Sequence, residues 1–153
     1  MNVIKQITFE EILPVWRDFL WKGRLSEIRP MSSMTFNKHY DRSIYERFNP
    51  TFFGCYNQNG VLLGVNSFHK TGNREGRSRG VYVFENSRGK GYSKLLLNAA
   101  ITQAKKEDCS IIWSLPRISS LQAYLSVGYR VCSEEINEGV EFGPNVYVKL
   151  NLS

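Results

Sequence analysis

The spacing of apolar residues divides the first half of the chain into two helices and a meander. Residues 8–21, TFEEILPVWRDFLW, place Ile12, Val15, Trp16, Phe19 and Leu20 at helical intervals, with Thr8 as N-cap and Pro14 as a weak point unless it lies in the first turn. Periodicity fails over residues 27–34, EIRPMSSM, which predicts a loop. Residues 35–50, TFNKHYDRSIYERFNP, predict a second, weaker helix ended by Asn49 and Pro50. In residues 51–69 two β-prone runs flank NQNG, and the pair Asn59-Gly60, both tolerant of positive φ, predicts an antiparallel hairpin. A polar turn, KTGNREGRS, then leads to a third strand over 79–84.

The second half changes period. From Ser93, the residues Leu96, Leu97, Ala99, Ala100, Ile101 and Ala104 mark an amphipathic helix that ends on Lys105 and Lys106, cations suited to a C-terminal dipole. Residues 110–115, SIIWSL, predict a short buried strand parallel to the third one through that helical crossover. Residues 119–129 form a short helix stopped by Gly128, and residues 129–135 and 140–152 supply a final strand pair. No repeat, low-complexity tract or linker interrupts the chain, so residues 1–153 are expected to form a single domain.

Composition narrows the class without choosing a function. A chain 42% apolar and 22% charged folds as a globular protein rather than staying disordered. No apolar run approaches the roughly 18–20 residues of a membrane span, and the opening residues lack the pattern of a secretory signal, so a cytoplasmic location without membrane contact is expected. Cys55, Cys109 and Cys132 are odd in number and form no CxxC pair, which argues against a disulfide framework or zinc site and predicts reduced thiols buried in or beside strands. The net charge of +6 favours some anionic partner.

Chemistry concentrates at residues 81–100, VYVFENSRGKGYSKLLLNAA, where a strand passes through a basic, glycine-bearing turn into a helix. The first amides of a helix lack partners and carry about half a positive charge, so such a junction is a ready anion site. Gly89 and Gly91 open the backbone to a ligand; Arg88, Lys90 and Lys94 add charge. A phosphate-binding GxxxxGK[ST] loop fails because Gly91 follows Lys90, and a GxGxxG fingerprint fails because Lys94 holds its third glycine position.

The turn resembles the R/Q-x-x-G-x-G/A loop of the GNAT superfamily of acyl-CoA-dependent N-acyltransferases, with Arg88, Gly91 and Ser93 in the three defining places and Ser93 departing from the usual Gly or Ala. The order of elements is also similar, so the resemblance covers almost the whole chain, most specifically residues 81–129. It implies an α/β (α+β) fold with a central mixed, mostly antiparallel sheet of six to seven strands flanked by about four helices. It further implies acetyl-CoA as cosubstrate, its pantetheine arm along Val81 and Val83 and its pyrophosphate on Arg88, Gly89, Lys90, Gly91, Tyr92 and Ser93.

Tyr124, four residues before Gly128-Tyr129, looks like the family's Y-x-x-x-G-F/Y helix end, which implies a phenol that protonates the departing thiolate. Relatives often carry Asn seven residues before that tyrosine; Arg117 stands here, with Ser119 or Ser120 as substitute cofactor contacts. The Val83 amide is the candidate oxyanion donor, and Glu85, ahead of Glu75 and His69, the candidate base, unless ordered water serves. The family's acceptor region holds Trp16, Trp21, Arg24, Arg29, Phe36, His39, Tyr40 and Tyr45, a set suited to a small aromatic or acidic amine, and the resemblance is compatible with a homodimer. Two rivals remain: a basic nucleic-acid-binding module, opposed by scattered cations and no reader-helix signature, and a non-catalytic acyl-CoA sensor of the same fold.

Overall fold

The computed structural model describes residues 2–152. Seven strands form one mixed sheet in the order β1-β2-β3-β4-β5-β7-β6, from β1 (Val3–Ile7), β2 (Thr51–Tyr56), β3 (Leu62–Lys70), β4 (Glu75–Val83), β5 (Ile111–Ser114), β6 (Arg130–Val131) and β7 (Val148–Asn151). Only β4 and β5 run parallel, joined by the crossover helix α3 (Tyr92–Lys106), as the spacing predicts. Two short helices, α1 (Phe9–Val15) and α2 (Ile44–Arg47), precede β2, and α4 (Leu121–Ser126) follows β5.

Strand alternation gives the sheet two apolar faces. Phe53 and Cys55 of β2 belong to a core closed by Leu96, Leu97, Ala100, Ile101 and Ala104 of α3 and by Tyr124 of α4. Phe52 points the other way, into a smaller core with Ile12, Val15 and Trp16. Each fully buried leucine of α3 contributes roughly 1.5–3 kcal/mol, enough to hold the helix start where the next subsection needs it. No helix among the described residues is long and apolar enough to cross a membrane.

Several expectations change. Residues 3–7 form an edge strand antiparallel to β2, invisible to periodicity because only Ile7 is buried. The helix expected over 35–50 shrinks to the single turn of α2; upstream, a Met34–Tyr40 bridge holds the chain in a loop. Thr8 does cap α1, in a reciprocal box with Glu11. Pro14 lies inside the helix, which continues as a π turn over Trp16–Leu20. At the hairpin only Gly60 takes positive φ (+79°), while Asn57 Oδ1 accepts from the amides of Asn59 and Val61. β4 starts at Glu75, four residues earlier than expected, inside the segment read as a polar turn. Cys55 and Cys109 are buried but Cys132 is exposed.

Candidate active site

The site begins with a parting of strands. β5 pairs with β4 only from Glu75↔Ile111 to Arg77↔Trp113, while β4 runs on to Val83. A bulge adds to the divergence: Val65 pairs with Tyr82 and Ser67 with Arg79, so two steps of β3 face three of β4. Gly80 supplies the extra residue at φ +82°. Its carbonyl accepts from Trp16 Nε1 at 2.8 Å, and a Cβ there would lie 2.4 Å from that nitrogen, so the π turn clamps the bulge from above. Past the bulge, the Phe84 amide donates to the Leu63 carbonyl on the β3 side. Alternation therefore turns the amides of Val83 and Val81 toward the gap that β5 has left.

Two cavities open on that gap. The larger, about 470 Å³, runs from Phe19, Val81 and Val83 past Arg88 and Ser93 to Ser120. At its helical end Gly91 caps α3 at φ +85°, with no side chain bonding the first-turn amides. Gly89, at φ +77°, precedes it, and no heavy atom lies within 4 Å of a Cβ placed on either glycine. Backbone donors thus face open space with a dipole behind them. Arg88 braces the turn, its Nε donating to the Val83 carbonyl at 2.9 Å and its guanidinium over the Tyr82 ring. Lys90 is exposed, Tyr92 packs against the main core and Ser119 also lines the wall. Half-exposed Phe19 stacks edge-on to Phe84.

The smaller cavity, about 350 Å³, lies beside it and shares Leu20, Val81, Arg117 and Ser120 with it. Tyr124 reaches its floor from α4, buried and edge-on to Tyr129. The Ser114 hydroxyl has one proton for two acceptors, the Ser78 carbonyl at 2.7 Å and the Tyr124 oxygen at 3.3 Å. The shorter bond keeps it, so Ser114 Oγ faces the Tyr124 hydroxyl as an acceptor, and at 3.3 Å that bond is long enough for a better acceptor to take the phenolic proton. Burial raises the Tyr124 pKa against the opposing pull of Ser114 and Arg77, so the group is a neutral acid.

The walls of this cavity are cationic. Arg77 lies over the Trp113 ring, and Arg79, 5% exposed, packs against the adjoining rings of Trp16 and Trp21 with Nη1 donating to the Arg29 carbonyl at 3.0 Å. Burial lowers both, Arg77 to about 10. Arg24 stacks on Trp21, and Arg117 donates to the Leu20 carbonyl while covering the Phe142 ring. Arg117 therefore ties the end of the π turn to the loop before β7, with its guanidinium between the cavities rather than at the glycine turn. Glu141 is the lining carboxylate; it accepts from the Leu25 amide and Ser26 hydroxyl, which hold it below the usual carboxylate range.

None of the three expected bases lines either cavity. Glu85 is exposed in the 3₁₀ turn after β4. Glu75 anchors a loop, accepting from Thr71 Oγ1 at 2.5 Å and the Phe36 amide at 3.1 Å. His69 is fully buried, and burial together with Arg79 and Arg77 lowers it to about 3; its Nδ1–H donates to the Lys70 carbonyl. Of the expected acceptor residues, Trp21, Arg24 and Tyr40 line the smaller cavity, whereas Trp16, Arg29, Phe36, His39 and Tyr45 do not. Sequence reading missed Gly80, Arg77, Arg79 and Ser114. The signal for the arginines was alternation, since Arg77 and Arg79 stand two apart as on one face of a strand.

Comparison with known proteins bears on this arrangement. Residues 16–129 match the model of the acetyltransferase (GNAT) family. A comparison with curated proteins found no match. Among solved structures, the IAA acetyltransferase from Bacillus cereus ATCC 14579 is similar over 99% of this chain and 100% of its own, at 20% identity and a TM-score of 0.68. Spermidine N-acetyltransferase from Vibrio cholerae, in complex with CoA and spermine, is similar over 98% and 95%, at 11% identity and a TM-score of 0.65. Nourseothricin acetyltransferase, at 20% identity and a TM-score of 0.58, aligns over 67% of this chain and 65% of its own, just under two thirds of that enzyme's length. At these identities the likeness is one of fold.

Proposed function

This chain belongs to the GNAT acetyltransferase family, and we propose that it is an N-acetyltransferase moving an acetyl group from acetyl-CoA to the primary amine of a second substrate by direct attack. One observation carries the reading: two cavities meet where β4 parts from β5, and the larger reaches Arg88 and Ser93, the residues on either side of the Gly89–Gly91 turn that opens α3. The residues present fit the cosubstrate. Unpaired amides at Gly91, Tyr92 and Ser93, with no side chain filling the space over Gly89 or Gly91, suit a diphosphate; Lys90 and Arg88 add charge beside it. The freed amide of Val81 suits a pantetheine arm, an extended chain of peptide-like groups that passes Val83 on its way to the thioester.

Acetyl-CoA supplies an acyl carbon activated as a thioester. In this reading the Val83 amide donates to the carbonyl oxygen as negative charge grows on it. Tyr124 holds its proton at the hydroxyl for the departing sulfur, since burial keeps the phenol neutral and Ser114 makes little claim on it. Arg117 braces the junction of the cavities by joining Leu20 to Phe142. With Glu85, Glu75 and His69 away from the gap, the amine loses its proton to water.

The test is titration of the purified protein with acetyl-CoA, CoA and ATP at low and high salt, then an amine screen followed by thiol release. Saturable acetyl-CoA binding with weak salt dependence, lost in Gly91→Val, and turnover with some amine are expected. Binding without turnover on any amine would leave a sensor; nucleic-acid affinity that collapses with salt, without acetyl-CoA binding, would overturn the assignment.

A further inference from the structure

The smaller cavity gathers more cations than its one carboxylate, Glu141 near Arg24, can offset. Arg24, Arg77, Arg79 and Arg117 line it against the single carboxylate of Glu141. Among the described residues the ion pairs within 4.0 Å are Arg17–Asp18, Arg29–Glu27 and Arg47–Asp41, none of them in the cavity. Arg77 and Arg79 lie two residues apart on one face of β4, close enough to each other and to Arg24 to repel. Arg77 Nε is buried without a hydrogen-bond partner. A buried cation left unpaired destabilises the fold, and such a cost persists where a ligand removes it.

The geometry points to an acceptor that carries a carboxylate beside its amine, an amino acid bound with its carboxylate at Arg77 and Arg79. This rests on the acyltransferase reading and names the substrate class of the same site. Two consequences of the charge support it. A carboxylate offers planar, paired acceptors that match guanidinium donors, and the cavity of about 350 Å³ has the size of a small-molecule site. Like charge around the amine disfavours its protonated form, so the cavity itself favours the free base where no carboxylate stands ready to take the proton. A polyamine is the opposite case. It needs acidic walls, and Glu141 is already engaged by Leu25 and Ser26.

The experiment follows tryptophan fluorescence, to which Trp21 on the cavity wall contributes, in CoA-free and CoA-saturated protein. The probes are the common α-amino acids and several ω-amino acids, their matched carboxamides, and spermidine. At least one amino acid is expected to bind saturably, its carboxamide about tenfold or more weaker, and spermidine not at all. Arg77→Gln should bring acid and amide to equal affinity with the CoA affinity unchanged, which also shows that the variant folds; Arg77→Lys should keep part of the preference. The inference is overturned if carboxamides or spermidine bind as well as the acids, or if no acid binds at millimolar concentration while CoA does. Acid binding with no CoA binding would sink the acyltransferase reading and leave the anion site standing.

Discussion

Tyr124 combines burial with a proton that no neighbour strongly claims, and both bear on its role. Replacing it with Phe removes one oxygen from a site whose ring packing on Tyr129 is otherwise kept. Tyr124→Phe is expected to lower kcat by about 10²- to 10⁴-fold with the acetyl-CoA affinity unchanged; an unchanged kcat would show that the thiolate leaves without it. His69 makes a different kind of prediction. Unfolded, it takes up a proton as pH falls through about 6.5, whereas the folded protein holds it neutral down to about 3 because burial and two arginines oppose the charge. The unfolded state then binds more protons across that window, so stability is lost as pH falls through it, by up to about 1.4 kcal/mol per pH unit from this group. Urea midpoints at pH 7.5 and 5.5 should show the loss, and His69→Gln should flatten it. An equal slope in the variant would mean that other groups carry the effect.

At the scale of elements, the bulge in β4 decides where the site lies. Gly80→Ala places a Cβ against the Trp16 indole at a φ of +82°, so the left-handed strain of roughly 1–2 kcal/mol adds to a steric push on a ring with no room to yield. A loss of about 2 kcal/mol or more in urea unfolding is expected, with a fall in kcat/KM larger than stability explains, because the Val81 and Val83 amides move with the bulge. A fully active Gly80→Ala protein would show that the bulge only bends the strand. None of this was legible in advance. The α3 turn was, because glycines, cations and a sharp change from strand to helix period are local signals. Tyr124 was legible through its spacing to Gly128. Arg77 reads as part of a turn, and Arg79 only as the start of a strand, because charge argues against a buried strand unless a cavity is known to lie beside it. Glu85 lines neither cavity, because adjacency in sequence to β4 says nothing about which way a 3₁₀ turn leaves the sheet. β1 and the short α2 went unread because edge strands and single turns bury too little to impose a period.

Across the whole molecule the two cavities form one passage, and this constrains the order of chemical events. They share Leu20, Val81, Arg117 and Ser120, so ligands in the two would meet beside those residues. A covalent relay would need a nucleophile on that passage. Cys55 and Cys109 are buried, Cys109 pushed up to about 11 chiefly by burial, and exposed Cys132 lines neither cavity. Ser26, Ser32, Ser114 and Ser120 line the smaller one, but His69, whose Nε2 accepts from the Ser32 amide, is lowered to about 3 by burial and two arginines, and Glu141 is held below the usual carboxylate range by Leu25 and Ser26, so neither is an effective base. A serine without a base is a poor nucleophile. On the proposed reading, both substrates are therefore present together before the acetyl group moves. Initial rates measured against acetyl-CoA at several fixed acceptor concentrations should give intersecting double-reciprocal lines, and a variant with all three cysteines changed to Ala or Ser should keep that pattern. Parallel lines, or an acetylated protein trapped after acetyl-CoA alone, would show that a side chain carries the group between the cavities.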